Sequence, residues 1–167
     1  THTLNVTDVD TVIGLGGGTQ TITVIDSSNT TITTGLGNDT ITGGGGADVI
    51  NAGGGDNVVN GSAGNDTISG EQNPDRIEHS PEYFTSLDYQ NQTSGITVTL
   101  NDTSTAVGST IGTDTLIAID EVIGSQAADL LVAGIEYSGT NNTFDGDFGS
   151  GIEITGAQGN DIIIGNS

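Results

Sequence analysis

Along the first half of the chain, apolar residues recur at Leu4, Ile13, Ile22, Ile32, Ile41, Ile50, Val59, Ile68 and Ile77. Every step is nine residues except the ten between Ile22 and Ile32. A disordered polar chain has no reason to keep such a register over a span of about 75 residues. A period of this length predicts a solenoid, in which each unit buries its apolar residue against its neighbours. Each unit divides into a glycine-rich half and a short strand such as Thr40-Ile41-Thr42. Alternation along the strand sends Ile41 inward and both threonines outward. Two such strands facing each other use about 18 residues per coil, and coils stack at roughly the 4.8 Å strand spacing.

The glycine-rich halves are chemically explicit from residue 35 onward. Gly35-Leu36-Gly37-Asn38-Asp39-Thr40-Ile41-Thr42 is followed by Gly43-Gly44-Gly45-Gly46-Ala47-Asp48-Val49-Ile50-Asn51. Gly53-Gly54-Gly55-Asp56-Asn57-Val58-Val59-Asn60 and Gly61-Ser62-Ala63-Gly64-Asn65-Asp66-Thr67-Ile68-Ser69 come next. A degraded copy, Gly70 to Glu78 with Asp75, closes the series. These stretches resemble the G-G-x-G-x-D-x-U-x nonapeptide of the repeats-in-toxin (RTX) family, with U a large apolar residue. The resemblance implies an all-β fold: a parallel β-roll (β-solenoid) of nonapeptide half-turns that binds several Ca²⁺ ions in its turns. The positions it implicates are Gly35, Gly37 and Asp39; Gly44, Gly46 and Asp48; Gly53, Gly55 and either Asp56 or Asn57; Gly64 and Asp66; and Asp75.

If one unit is half a coil, successive turns fall on opposite edges. Asp39, Asp56 or Asn57, and Asp75 line one edge, and Asp48 and Asp66 line the other. Carboxylates stacked this closely repel. A hard dication with oxygen ligands removes the repulsion, and Ca²⁺ suits such turns better than Mg²⁺, which demands strict octahedral geometry. Pairing of turns gives roughly four to seven ions. The first half-turns place Thr11, Gln20 and Thr30 where Asp would stand, so the roll begins without metal. Asp8, Asp10 and Asp26 lie elsewhere in the unit and read as solvated.

Of 167 residues, 22 are acidic and one, Arg76, is basic, for a formal charge of −21. A single cation cannot neutralise phosphates, which excludes nucleic acid as a partner. No polybasic segment serves an anionic membrane surface, and no apolar run is long enough to span a bilayer. Cysteine is absent, which removes disulfide and thiolate chemistry. The opening Thr-His-Thr-Leu-Asn is not a secretory signal peptide, so a signal was removed, export takes another route, or the chain is a fragment. Asp outnumbers Glu 16 to 6, which favours turns over helices.

From His79 to Asn91 the period fails, and Tyr83, Phe84 and Tyr89 cluster. An irregular insertion loop over 79–95, packed on an open flank of the roll, is expected. His79 has no nearby His or Cys to support a zinc site. Ser94 to Asp102 then alternates as a strand, and Gly112-Thr113-Asp114-Thr115-Leu116 leads to Ile119-Asp120-Glu121-Val122-Ile123-Gly124-Ser125. This segment looks like one found in many bacterial RTX proteins. The roll resumes with Asp129 and Leu131 in the repeat slots and with Gly156 to Ile164, where Gly159 and Asp161 hold the glycine and aspartate positions. Asp114, Asp129, Gly159 and Asp161 thereby join the candidate ligands, and Asp145 and Asp147, which flank Gly146, are a weaker candidate pair. The expected organisation is an N-terminal β-roll over 1–78, calcium-binding from about 34, then the insertion over 79–95. A strand segment and second RTX-type block over 96–167 continue the first.

No catalytic pattern is present: no H-E-x-x-H, G-x-S-x-G or P-loop. Paired carboxylates could hydrolyse glycosides, but here they sit at repeat positions in turns. Catalysis is therefore not expected. The Asn-x-Thr triplets at Asn5, Asn38, Asn65, Asn91 and Asn101 read as coincidental glycosylation patterns. The expected function is that of a secreted, extracellular or cell-surface structural protein that folds on external Ca²⁺. Neither end of the repeat carries an evident cap, so copies stacking head to tail are the expected partners, building a filament or surface layer. A cell-surface glycan or matrix is a further candidate partner. The alternative is the RTX region of a larger type I-secreted enzyme, toxin or adhesin. An ice-binding surface built from the T-x-T strands is a weaker one.

Overall fold

The computed structural model describes residues 2–8, 11–14, 16–71, 83–100, 104–133 and 153–164. Among them the chain is all-β, with no helix. The strands of the first block are β1 (His2–Val6), β2 (Thr11–Gly14), β3 (Gln20–Val24), β4 (Thr31–Thr34), β5 (Thr40–Thr42), β6 (Val49–Asn51), β7 (Asp56–Asn60) and β8 (Thr67–Ser69). The chain continues through β9 (Phe84–Asp88), β10 (Ile96–Leu100), β11 (Thr105–Gly108), β12 (Gly112–Ile117), β13 (Glu121–Ile123), β14 (Leu130–Ala133), β15 (Glu153–Thr155) and β16 (Ile162–Ile164).

Strands alternate between two sheets. One has the order β1-β3-β5-β7-β9-β13-β15 and pairs in parallel throughout. The other has the order β16-β14-β10-β11-β12-β8-β6-β4-β2. The nine-residue period explains the alternation, because two units return the chain to the same sheet. Ile32 pairs with Ile50, and Ile50 with Ile68, each 18 residues on. In the first sheet, Ile41 likewise pairs with Val59.

Most strands of the first block contribute one apolar residue to the interior, whereas β10 contributes Ile96, Val98 and Leu100 and β16 is exposed throughout. Ile22, Ile41, Val59, Leu87 and Val122 from the first sheet meet Val12, Ile32, Ile50, Ile68 and Leu116 from the second in one hydrophobic core. Their neighbours in sequence are mostly exposed or half-buried, as the pleat requires. A core one residue deep leaves little apolar burial per residue to offset chain entropy.

The structure corrects three expectations. Ile13 is 63% exposed and pairs with Thr33, while Val12 pairs with Ile32 and is buried. Two adjacent apolar residues compete for that slot, and a one-residue shift exchanges the faces. Residues 84–88 of the expected loop form β9, which pairs in parallel with β7 and β13 and so continues the sheet. Tyr89 is wholly buried rather than laid over a flank. Finally, the strand after the interruption does not simply take the next place in its sheet. β10 pairs with β14, β11 runs antiparallel between β10 and β12, and β12 takes the parallel place beside β8. Ile77, Arg76, His79, Asp10, Asp145 and Asp147 lie outside the described residues.

Candidate metal sites

The repeat turns end in an Asp-x-U sequence, or Asn-x-U at Asn57, and the pleat that points U inward also points the Asp or Asn inward two residues earlier. Asp39, Asp48, Asp66 and Asp114 are accordingly buried, as is Asn57. Their side chains form ladders between layers. On the edge leading into the nine-stranded sheet, Asp48 Oδ1 accepts the Thr30 N–H at 2.8 Å. The Asp48 N–H donates to Asp66 Oδ1 at 2.9 Å, and the Asp66 N–H to Asp114 Oδ1 at 3.1 Å. On the other edge, Asp39 Oδ1 accepts the Gln20 N–H at 2.8 Å, and the Asp39 N–H donates to Asn57 Oδ1 at 2.9 Å.

The ladder settles the choice between neighbours at residues 56 and 57. Asn57 occupies the inward slot, whereas Asp56 is exposed and its N–H donates to Asn38 Oδ1 at 3.1 Å. The later block repeats the pattern: Asp129 Oδ1 accepts from the Ile96 N–H at 2.8 Å, and the Asp129 N–H donates to Asp161 Oδ1 at 3.0 Å. Asp75 lies outside the described residues. Asp26, read as solvated, stands at the surface and accepts from the N–H groups of Asp8 and Ser28, which hold its carboxyl below the usual range.

One oxygen of each ladder carboxylate is thus engaged; the fate of the other differs. Asp39 Oδ2, Asp48 Oδ2 and Asp66 Oδ2 are buried with no hydrogen-bond partner. A buried anionic oxygen without a donor is costly, so it is protonated or neutralised by a cation. Burial pushes the Asp48 carboxyl up to about 6 and that of Asp66 to about 7, offset in part by backbone N–H donors and reinforced by neighbouring aspartates. Burial likewise raises Asp114 to about 6. Asp114 Oδ2 accepts the Tyr89 O–H at 3.1 Å, so an aromatic of the interrupted segment serves the ladder.

Glycines line these oxygens. A Cβ on Gly43 would stand 2.7 Å from Asp48 Oδ2, and one on Gly61 2.3 Å from Asp66 Oδ2. Between layers, the turn backbones nearly touch. Gly64 has φ +141°, and a Cβ there would lie 1.9 Å from Gly46 O. A Cβ on Gly55 would lie 2.5 Å from Gly37 O. Gly44 and Gly53 also adopt positive φ, as does Gly159 in the last repeat, while Gly35 offers its carbonyl to the Gly54 N–H at 2.9 Å. Among the described residues no three His, Cys, Asp or Glu side chains converge. The carboxylates come one per layer, and a cation beside them would take its remaining ligands from turn carbonyls. Unpaired hard oxygens in such a setting fit Ca²⁺.

Three features escaped the sequence reading. Asp120 Oδ2 accepts the Thr85 N–H at 2.8 Å and so holds a ladder slot, which Asp120-Glu121-Val122 signals by the same Asp-x-U spacing. Gly43 and Gly61 stand five residues before their aspartates. An outer ladder runs the opposite way: Asn29 Oδ1 accepts from the Ala47 N–H at 2.8 Å, and Asn65 Oδ1 from the Thr113 N–H at 2.9 Å.

A model of the RTX calcium-binding nonapeptide repeat matches four copies, over residues 25–59, 45–77 and 153–167. Neither curated proteins nor solved structures gave a match. The matched stretches contain Asp39, Asp48, Asn57, Asp66 and Asp161 with their glycine turns, and over them the chain is similar to the RTX calcium-binding nonapeptide repeat.

Proposed function

We propose that the chain is a secreted, calcium-dependent β-roll with a structural role and no catalysis of its own. The observation that carries this reading is the set of partnerless buried oxygens at Asp39, Asp48 and Asp66. A cation there turns a penalty into a bond. Calcium bound only by the folded chain adds about 2.7 kcal/mol per site when its free concentration is about 100 times Kd. Extracellular calcium modules work at a Kd of about 10⁻⁴–10⁻³ M, so external calcium folds the chain and cytosolic calcium leaves it loose, as suits export by a type I system. Titration calorimetry at neutral pH tests this. Several Ca²⁺ ions bound per chain, with Mg²⁺ unable to replace them, is the expected result; no heat and no binding at millimolar Ca²⁺ contradicts it.

The sheet ends support end-to-end stacking as the structural role. Leu4 and Ile163 sit at core-facing register positions, opposite buried Ile22 and Leu131, yet are 46% and 51% exposed. Among the described residues, β1 and β2 end one side of the two sheets, and β15 and β16 the other. Open strand edges with exposed core positions favour another layer of the same kind. A second copy supplies it in a filament or surface layer. In the rival reading, further repeats of a larger secreted enzyme, toxin or adhesin supply it. Light scattering in millimolar calcium separates the two: growth of assemblies with concentration supports stacking, and a monodisperse monomer at high concentration overturns it.

A further inference from the structure

Asn57 holds the same ladder slot as the aspartates but differs from them at one atom. Its Oδ1 accepts the Asp39 N–H, which fixes the amide orientation and turns Nδ2 toward the turn. Nδ2 then donates to Gly53 O and Gly55 O, both at 3.2 Å. Those carbonyls stand four and two residues before Asn57. At Asp39 and Asp48 the residues four and two positions earlier are again glycines, Gly35 and Gly37, then Gly44 and Gly46. There the corresponding side-chain atom is a buried oxygen with no partner.

We propose that the Asn57 amide is a built-in substitute for a metal ion, so that the turn over residues 53–57 closes without a cation while the turns at Asp39, Asp48 and Asp66 require one. The amide presents partial positive charge to two carbonyl oxygens, as a bound cation does, and adds no anion to the interior. The turn at Asp129 is closed from within by a different device. The Ser125 N–H donates to Asp129 Oδ2 at 2.7 Å and its O–H to Oδ1 at 2.6 Å. Calcium demand is therefore uneven along the chain, and Asn57 anchors a turn that holds before metal arrives. This rests on the reading of the aspartate turns as cation sites.

The test pairs Asn57→Asp with the reciprocal Asp39→Asn in the full chain. Bound calcium is counted by equilibrium dialysis, and thermal melting is followed in chelator and in calcium. Asn57→Asp is expected to bind one ion more than the parent chain and to melt lower in chelator, since an oxygen would face the two carbonyls. Asp39→Asn is expected to bind one ion fewer and to melt higher in chelator. Unchanged ion counts in both variants overturn the proposal, as does an Asn57→Asp chain that melts no lower in chelator. If the parent chain binds no calcium, the cation reading itself fails. The chelator melts then still decide whether the amide closes its turn.

Discussion

The two edges of the fold use the same turn for different charge. Asp48, Asp66 and Asp114 follow one another into the nine-stranded sheet, all buried and all with raised carboxyl pKa values. Into the seven-stranded sheet, Asp39 is followed by neutral Asn57. The residues five positions earlier differ in step. Gly43 and Gly61 leave space beside Asp48 and Asp66, whereas Thr34 and Ala52 stand before Asp39 and Asn57, with the Thr34 O–H bonded to Ala52 O at 2.6 Å. Backbone stacking is thus common to both edges, while the accumulation of buried negative oxygen is mainly a property of one. The first edge leaves Asp48 Oδ2 and Asp66 Oδ2 without partners and the second leaves Asp39 Oδ2, while the Asn57 amide closes its own turn.

The largest expected effect of a single substitution comes from the stacking that both edges share. Gly64→Ala forces a Cβ into Gly46 O at a φ that side chains avoid, and should cost about 3 kcal/mol or more in chemical denaturation. Gly17→Ala, where a Cβ meets nothing within 4 Å, should stay within about 0.5 kcal/mol. Next, Asp66→Ala leaves the buried Asp48 N–H without its acceptor and should cost about 1–3 kcal/mol without metal. In calcium its deficit should widen, because a ligand is lost as well. An equal deficit in chelator and in calcium would show that Asp66 serves only the ladder.

A smaller effect is expected from pH, and its sign depends on calcium. The raised values of Asp48, Asp66 and Asp114 mean that the folded chain binds protons more tightly than the unfolded chain, whose aspartates titrate near 3.8. Their stabilising protons are fully present below that value and are lost as pH rises through about 6 to 7. In metal-free buffer the melting midpoint should therefore be higher at pH 5 than at pH 8, by on the order of a few degrees. In calcium the order should reverse, since protons compete for the same oxygens. The smallest effect belongs to Asp56→Asn: an exposed neighbour of the ladder, it should shift stability by no more than about 0.5 kcal/mol and leave the ion count unchanged.

Much of this was legible in the sequence because one apolar residue per nine leaves little ambiguity. Ile41, Ile50, Val59 and Ile68 fill the core as their spacing demands, and half-coil alternation puts Asp39 and Asp48 on different ladders. The register slipped where apolar residues adjoin, at Val12 and Ile13. Alternation in Ile96–Leu100 identifies a strand but carries no information on direction or neighbour, so the antiparallel β11 was invisible. Tyr89 read as a cover for the roll because aromatics are foreign to glycine-rich repeats, yet its hydroxyl is what engages Asp114. Asn38 and Asn65 read as chance acceptor triplets, although their side chains tie one layer to the next.

The central claim is that the oxygens left without partners at Asp39, Asp48 and Asp66 are reserved for calcium and that the fold depends on filling them. Far-ultraviolet circular dichroism of the full chain through a calcium titration, with magnesium as the control, tests it most directly. The account expects a β signal that is weak and melts early in chelator, grows at millimolar calcium, falls back on chelation and returns when calcium is restored, with no response to magnesium. A β signal of full strength in chelator, unchanged by added calcium, would contradict it.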